Sequence, residues 1–193
     1  IDDRDEKGQG ETQQLLDKRH GTIFQPVFEL DGFLAACDVL EYDKATDSYT
    51  VTEIKATNEA KADPHLYDLS FQVALLRRAG LTISRANLMH LNKEYVRQGD
   101  LNLAEMFKAD DVTDVVNQMV PGVITEMETA QQYLHAEAEP EGHCSCVYKG
   151  RSKHCTTFAH NNPSIPEYSV HDISRIGMSK KKLTDLIDSG VYT

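Results

Sequence analysis

The chain has 193 residues, 40% hydrophobic and 26% charged, with a formal net charge of −11 and four cysteines. That length suits one domain, or one domain with a small appendage; no apolar run is long enough to cross a bilayer, and the start, IDDRDEKGQGE, is too charged for a signal peptide. The acidic balance argues against a protein that coats nucleic acid, which needs local positive charge, but not against an enzyme whose carboxylates are neutralised by metal. A cytoplasmic location is the default expectation.

In chain order, residues 1–11 are expected to form a disordered lead-in. Thr12 to Arg19 suits a short helix capped by Thr12, with Leu15 and Leu16 facing the core. TIFQPVFEL, from Thr22 to Leu30, reads as a strand with Pro26 at an edge or bulge, and Asp31-Gly32 is a hairpin turn. Strands at 22–30, 32–42 and 49–56 are thus predicted to form an antiparallel meander. Asp63 as cap and Pro64 in the first turn open a helix that runs to about Ala79 and stops at Gly80. Leu66, Leu69, Val73 and Leu76 form its core stripe, and His65, Asp68 and Gln72 line a neighbouring face. Ile83 to Leu91 is predicted to be a fourth strand, parallel to the third because a helix makes the crossover; His90 and Tyr95 read as structural. Asp110 to His135 is helical in pattern, with Val116, Val120, Val123 and Met127 among its apolar positions and a kink or split at Pro121-Gly122. Farther on, Asn161 to Pro166 reads as a loop, YSVHDI as a short extended piece, and Ser179 to Ser189 as a small helix ended by Gly190.

Side-chain alternation puts Glu53 and Lys55 on one face of the third strand and Ile54 on the other. Asp38 falls in the middle of the preceding strand, among Leu34, Ala36, Leu40 and Tyr42, where an uncompensated acid is costly. A divalent cation shared by Asp38 and Glu53 would compensate both, with the Ile54 carbonyl as a further oxygen ligand and Lys55 beside the attacking water or a phosphate oxygen. These are the parts needed for metal-assisted phosphodiester hydrolysis. Arg77, Arg78, Arg85 and Lys93, then Lys149, Arg151 and Lys153, and Lys180, Lys181 and Lys182, are the basic residues available to a substrate groove.

Asp38, then Glu53-Ile54-Lys55 on the next strand, then a helix carrying Gln72, resembles the core of the PD-(D/E)XK nuclease superfamily in its RecB-like exonuclease branch. The resemblance implies that Gln72 helps organise the site and contact DNA, with His65 and Asp68 as neighbours. The family often has Tyr four residues after the Gln, where this chain has Leu76.

EPEGHCSCVYKGRSKHC brings Cys144, Cys146 and Cys155 close together, with His143 and His154 each just before a cysteine. Clustered cysteines in a cytoplasmic-type chain favour metal over disulfide. Zinc held by three cysteines and one histidine, and an iron–sulfur cluster held by thiolates, both fit the spacing. The resemblance to RecB-like nucleases implies the second, a [4Fe–4S] cluster whose last three ligands would be Cys144, Cys146 and Cys155, although the C-x-C spacing is tighter than usual. Cys37, next to Asp38, reads as a buried core cysteine. The fourth ligand is expected in a longer natural protein, N-terminal to this chain. The stretch IPEYSVHDISRIG with its lysine-rich helix resembles an uncharacterised bacterial family of RecB-like nuclease proteins that continue into a further C-terminal domain.

The expected fold is therefore α/β: a restriction-endonuclease-like core with a mixed central sheet flanked by helices and a cysteine-rich C-terminal segment. Its expected divisions are a nuclease core at 12–138, a cluster-binding segment at 139–160 and an appendage at 161–193. Function is expected to be that of a Mg²⁺- or Mn²⁺-dependent deoxyribonuclease with Asp38, Glu53, Lys55 and Gln72 as catalytic residues. The resemblance implies action on single strands or DNA ends, in repair, recombination or defence against phage. RNA is not distinguished from DNA, because reading a 2′-hydroxyl is a matter of pocket geometry. A binding or assembly module that keeps the fold without turnover is the alternative.

Overall fold

The first helix, α1 (Glu6–Asp17), starts where the Asp5 carboxylate accepts hydrogen bonds from the main-chain N–H groups of Lys7 and Gly8 at 3.0 and 3.2 Å. The structure is a computed structural model that describes residues 5–58, 62–138 and 144–193. Residues 6–11, expected in a disordered lead-in, are thus helical, because Asp5 supplies the cap that Thr12 was expected to provide; residues 1–4 lie outside the described residues. Thr12 is instead buried, donating to the Gly8 carbonyl and accepting from the Val27 N–H, both at 2.9 Å, which ties α1 to the strand that opens at Val27.

The strands expected at 22–30 and 32–42 are each broken in two. They form β1 (Thr22–Phe24), β2 (Val27–Leu30), β3 (Phe33–Ala36) and β4 (Val39–Asp43). Gln25 has a left-handed backbone, with φ 51°, and Pro26 has no N–H to give a ladder, so pairing fails there and, opposite, at Cys37-Asp38. Hydrogen bonds from Gln25 N to Asp38 O and from Cys37 N to Pro26 O, at 2.9 and 3.1 Å, bridge the break. Beyond it β2 and β3 form a separate two-stranded sheet, closed by Asp31 and Gly32, both left-handed as a type I′ turn requires. Asp38 therefore stands at the open end of β4 and is half-buried, not enclosed in the middle of a strand.

The main sheet has five strands in the order β1-β4-β5-β6-β7, where β5 is Ser48–Lys55, β6 is Ile83–Leu91 and β7 is Phe107–Asp111. β5 and β6 are parallel and the other pairs antiparallel, as the helical crossover demands. A five-residue π-helical turn, Ala62–Leu66, leads into α2 (Tyr67–Arg78), which stops before Gly80 at φ 91°. The side chain of Asp63, expected as its cap, lies outside the described residues. Leu69, Val73, Leu75 and Leu76 are fully buried and pack with Leu40, Val51 and Ala86 of the sheet. The helix expected from Asp110 begins later: residues 107–111 pair with β6 as an edge strand, reached through the short α3 (Leu103–Met106), and α4 spans Thr113–Leu134. Val116, Val120, Val123 and Met127 of α4 complete the core. α4 runs unbroken through Pro121, so the expected split does not occur; the packed apolar stripe on both sides of the proline outweighs the loss of its hydrogen bond.

Ala136–Thr193 is a second unit, distinct from Ile1–His135. It contains 3-10 turns at Ser145–Tyr148, Arg151–Lys153, Val170–Asp172 and Ile176–Met178, the short α5 (Phe158–Asn161) and α6 (Lys180–Asp188). Val147 packs with Val170, Ile176, Leu183 and Ile187, so residues on both sides of the expected division at 160/161 share one small core. YSVHDI is not extended: Ser169 accepts from the His171 N–H, and its own N–H donates to Asp172, a capping box that turns the chain. Replacing Pro121 by Ala restores a helical hydrogen bond at an exposed position, and we expect it to stabilise α4 by about 1–3 kcal/mol, read as a raised urea midpoint of the helical signal.

Candidate active site and thiol cluster

Alternation along β5 turns Glu53 and Lys55 toward α2 and leaves Ile54 on the opposite, 41% exposed side. Asp68 and Gln72 lie one helical turn apart on α2 and meet them. Lys55 Nζ bonds Glu53 Oε1 at 2.6 Å and Asp68 Oδ2 at 2.5 Å, while Gln72 Nε2 donates to Glu53 Oε2 at 2.7 Å. Asp38 Oδ2 accepts the Ile54 N–H at 2.7 Å, so the break that frees Asp38 from its strand lets it cap the end of β5. His65 is half-buried on the turn before α2. Cys37 is in the core, where burial and then the charges of Glu53 and Asp38 push its thiol up and keep it protonated.

Burial, and to a lesser degree the charge on Asp38, pushes the Glu53 carboxyl above the usual carboxylate range against the pull of Lys55 and Gln72. For Lys55 burial acts downward, but the hydrogen bonds to Asp68 and Glu53 outweigh it and raise the ammonium above its ordinary value. Lys55 is therefore a charged donor here, not a base. Glu53 and Asp68 both bond the Lys55 ammonium, Asp38 is near enough for its charge to act on the Glu53 carboxyl, and Gln72 Oε1 is buried without a hydrogen-bond partner among the described residues. Hard oxygen donors with surplus negative charge are the donor set suited to Mg²⁺ or Mn²⁺.

His90 lies opposite Lys55 in the β5–β6 register. Its Nδ1 faces the Leu91 carbonyl at 2.9 Å and its Nε2 faces Asp110 Oδ2 at 3.0 Å, and Lys108 holds the other Asp110 oxygen at 3.0 Å. Both ring nitrogens thus meet acceptors, which favours the doubly protonated ring. Asp110, then the Leu91 carbonyl, raises the imidazole; His90, then Lys108, lowers the Asp110 carboxyl. Sequence reasoning missed this pair because Asp110 was read as helical. Tyr95 accepts the Asn102 N–H at 2.9 Å, a structural role. Three of the basic residues considered for a groove are tied down: Arg77 to Asn117 at 2.7 Å, and Arg78 to Asp31 and Arg85 to Asp111, each at 3.4 Å.

In the second unit the sulfurs of Cys144, Cys146 and Cys155 all lie within 4.8 Å of one another, Cys144 and Cys155 at 3.6 Å. Thr157, then Cys144, brings the Cys155 thiol down to about 7. Among the described residues no histidine or carboxylate joins the three sulfurs. His154 instead stacks on Phe158 at 3.6 Å and bonds the Lys149 carbonyl at 2.9 Å; His143 lies outside the described residues.

No family model matches the chain, and no curated protein matches it. Among solved structures it is similar to an alkaline exonuclease from Laribacter hongkongensis, at 14% identity over 64% of this chain and 66% of that one, with a TM-score of 0.32. It is similar also to SSO0001, at 11% identity over 70% and 69% of the two chains, with a TM-score of 0.29. The chain thus spans just under two thirds of the exonuclease's length.

The His90–Asp110 pair sets a pH dependence. A raised imidazole contributes stability that is complete below the unfolded value of about 6.5 and is lost as pH rises through the folded value. Asp110, being lowered, contributes stability above the unfolded carboxylate value and loses it in acid. Urea midpoints should show the deficit of His90→Gln largest near pH 5.5 and smaller at pH 8.5. At the thiols, iodoacetamide at neutral pH should label Cys155 first and leave Cys37 unmodified, and added Zn²⁺ should protect Cys144, Cys146 and Cys155, as peptide mapping will show.

Proposed function

We propose that the chain is a divalent-metal-dependent nuclease that hydrolyses DNA phosphodiester bonds, acting on single strands or ends. The observation that carries this reading is the convergence of Asp38, Glu53, Lys55 and Gln72 at the open end of β4 and β5, linked by contacts of 2.5–2.7 Å that also include Asp68. Asp38, Glu53 and the Ile54 carbonyl would hold the cation. When bound, Mg²⁺ or Mn²⁺ supplies Lewis acidity toward the phosphate and makes water a stronger acid.

The protein's own side chains do the rest. Lys55, kept charged by Asp68 and Glu53, donates hydrogen bonds to a phosphate oxygen or to the attacking water, and stabilises negative charge as it grows in the transition state. Gln72 fixes the Glu53 carboxylate through Nε2, and Asp68 fixes the Lys55 ammonium, so both reacting-face groups are held before substrate arrives. His65, on the turn before α2, is assigned beside this group on the family resemblance alone.

The resemblance to RecB-like exonucleases supports a [4Fe–4S] cluster at Cys144, Cys146 and Cys155. The 3.6 Å between two of the sulfurs favours a second reading, a single zinc ion: thiolates each about 2.3 Å from a tetrahedral zinc lie about 3.8 Å apart, whereas thiolates on separate irons stand wider. Iron and zinc analysis of anaerobically purified protein distinguishes the two. The four cysteines are all unpaired, which suits a reducing, cytoplasmic compartment.

A binding module without turnover is the other reading of the carboxylate site. It is favoured by the engagement of both Glu53 oxygens, by Lys55 and by Gln72. With labelled single- and double-stranded DNA and Mn²⁺, we expect cutting that EDTA stops. Asp38→Ala and Glu53→Ala should each lower it by about 10²-fold or more, with DNA binding in EDTA retained. Cutting that is unchanged in both variants rejects the site, and binding without any cutting by the wild-type chain selects the inert module.

A further inference from the structure

The acidic character of this protein is not shared by its second unit. Ala136–Thr193 carries seven basic and seven acidic residues, so the formal charge of −11 belongs to Ile1–His135. Between Cys144 and Lys182 the balance is strongly positive: seven basic residues against Glu167 and Asp172. Three of the basic residues, Arg151, Lys153 and Arg175, line one cleft of about 510 Å³. The carboxylate in its wall, Asp172, is neutralised by Arg151, whose guanidinium bonds it at 2.6 Å and also holds the Glu167 carbonyl. Among the described residues, Lys153 and Arg175 are the charges of the cleft with no acidic partner. Two large apolar side chains of the same cleft, Ile173 and Met178, are exposed at 51% and 83%.

The cleft is built, not incidental. Its two walls meet where Gly150 and Gly177 pack backbone against backbone: a Cβ on Gly150 would come within 3.0 Å of the Gly177 Cα. Arg175, in the cleft lining, holds a left-handed backbone, φ 63°, that an arginine adopts only at a cost. The loop bearing Arg151 and Lys153 is anchored between Cys146 and Cys155 of the thiol cluster.

We propose that this cleft binds the backbone of a nucleic-acid strand, with a phosphate on Lys153 and Arg175 and a base against Ile173 and Met178. Unpaired cations supply the phosphate contacts, and exposed apolar surface beside them gives an unstacked base a face to rest on. The inference deepens the proposed nuclease function, for which it supplies a substrate contact outside the carboxylate site.

The test is fluorescence anisotropy of a labelled single-stranded oligodeoxynucleotide with the full chain in EDTA, across a range of salt. Arg175→Gly removes the charge while suiting the left-handed backbone, and Lys153→Ala changes an exposed residue, so both should keep their far-UV circular dichroism and melting curves. We expect each to weaken binding about fivefold or more and to reduce the slope of log K against log salt by about 0.7. Met178→Glu should weaken binding as well, and Arg175→Lys should restore most of what Arg175→Gly loses. Affinity and salt slope unchanged in the Arg175→Gly, Lys153→Ala double variant overturn the proposal. A chain that cuts no DNA but binds it through these residues rejects the nuclease reading alone; one that cuts DNA with binding indifferent to them rejects the cleft alone.

Discussion

The Lys55 ammonium, held between Glu53 and Asp68, is the interaction on which the first unit's polar centre depends. Glu53 is 6% exposed, and a carboxylate that deeply placed is tolerable as an anion only with a cation and hydrogen bonds beside it. Lys55 and Gln72 supply those, and both positions are set by regular structure: a two-residue repeat on β5 and a four-residue repeat on α2. The parallel β5–β6 crossover lays α2 over that end of β5. Packing of Leu69, Val73 and Leu76 therefore does two jobs, closing the core and holding Asp68 and Gln72 over the sheet.

The same arrangement explains what could be read in the sequence. The shared face of Glu53 and Lys55 was legible from the alternation of β5, and that of Asp68 and Gln72 from the period of α2; that the two faces meet was implied by the family resemblance and not by either period. The parallel fourth strand followed from the helix before it. Asp38 was found but misplaced, since the break beside it depends on the left-handed Gln25 opposite, and nothing in a glutamine announces that conformation. β7 was missed because Phe107-Lys108-Ala109-Asp110-Asp111 has no β-branched residue and forms a strand only through its ladder with β6 and the bond from Asp110 to His90. Likewise α1 was begun too late, at Thr12, because a threonine inside a helix and one at its cap look alike in sequence. The three cysteines were legible by spacing; that His154 turns away to Phe158 was not, because stacking depends on a residue brought back by the local fold.

The second unit has a different economy. Five buried apolar residues, Val147, Val170, Ile176, Leu183 and Ile187, are a small core for a segment of this kind, and units of such size usually rely on a covalent or metal staple as well. Arg151 to Asp172, His171 to the Val147 carbonyl at 2.8 Å, and the stacked His154 and Phe158 knit its turns together with polar and aromatic contacts. The three thiols lie among these turns, at the place where a metal would fasten chain segments that otherwise share few apolar contacts.

The five-stranded sheet ends on one side at β1, which is three residues long, and on the other at β7, which carries Lys108, Asp110 and Asp111. Open sheet borders are templates on which a second chain can add a strand, and brevity and charge are the two usual defences. Each border here uses one of them. Asp110, which holds His90, and Lys108, which pairs with Asp110, thus also guard the sheet, so that replacing them by apolar residues would expose a five-residue ladder to pairing between copies and turn a polar contact within one molecule into a route to aggregation.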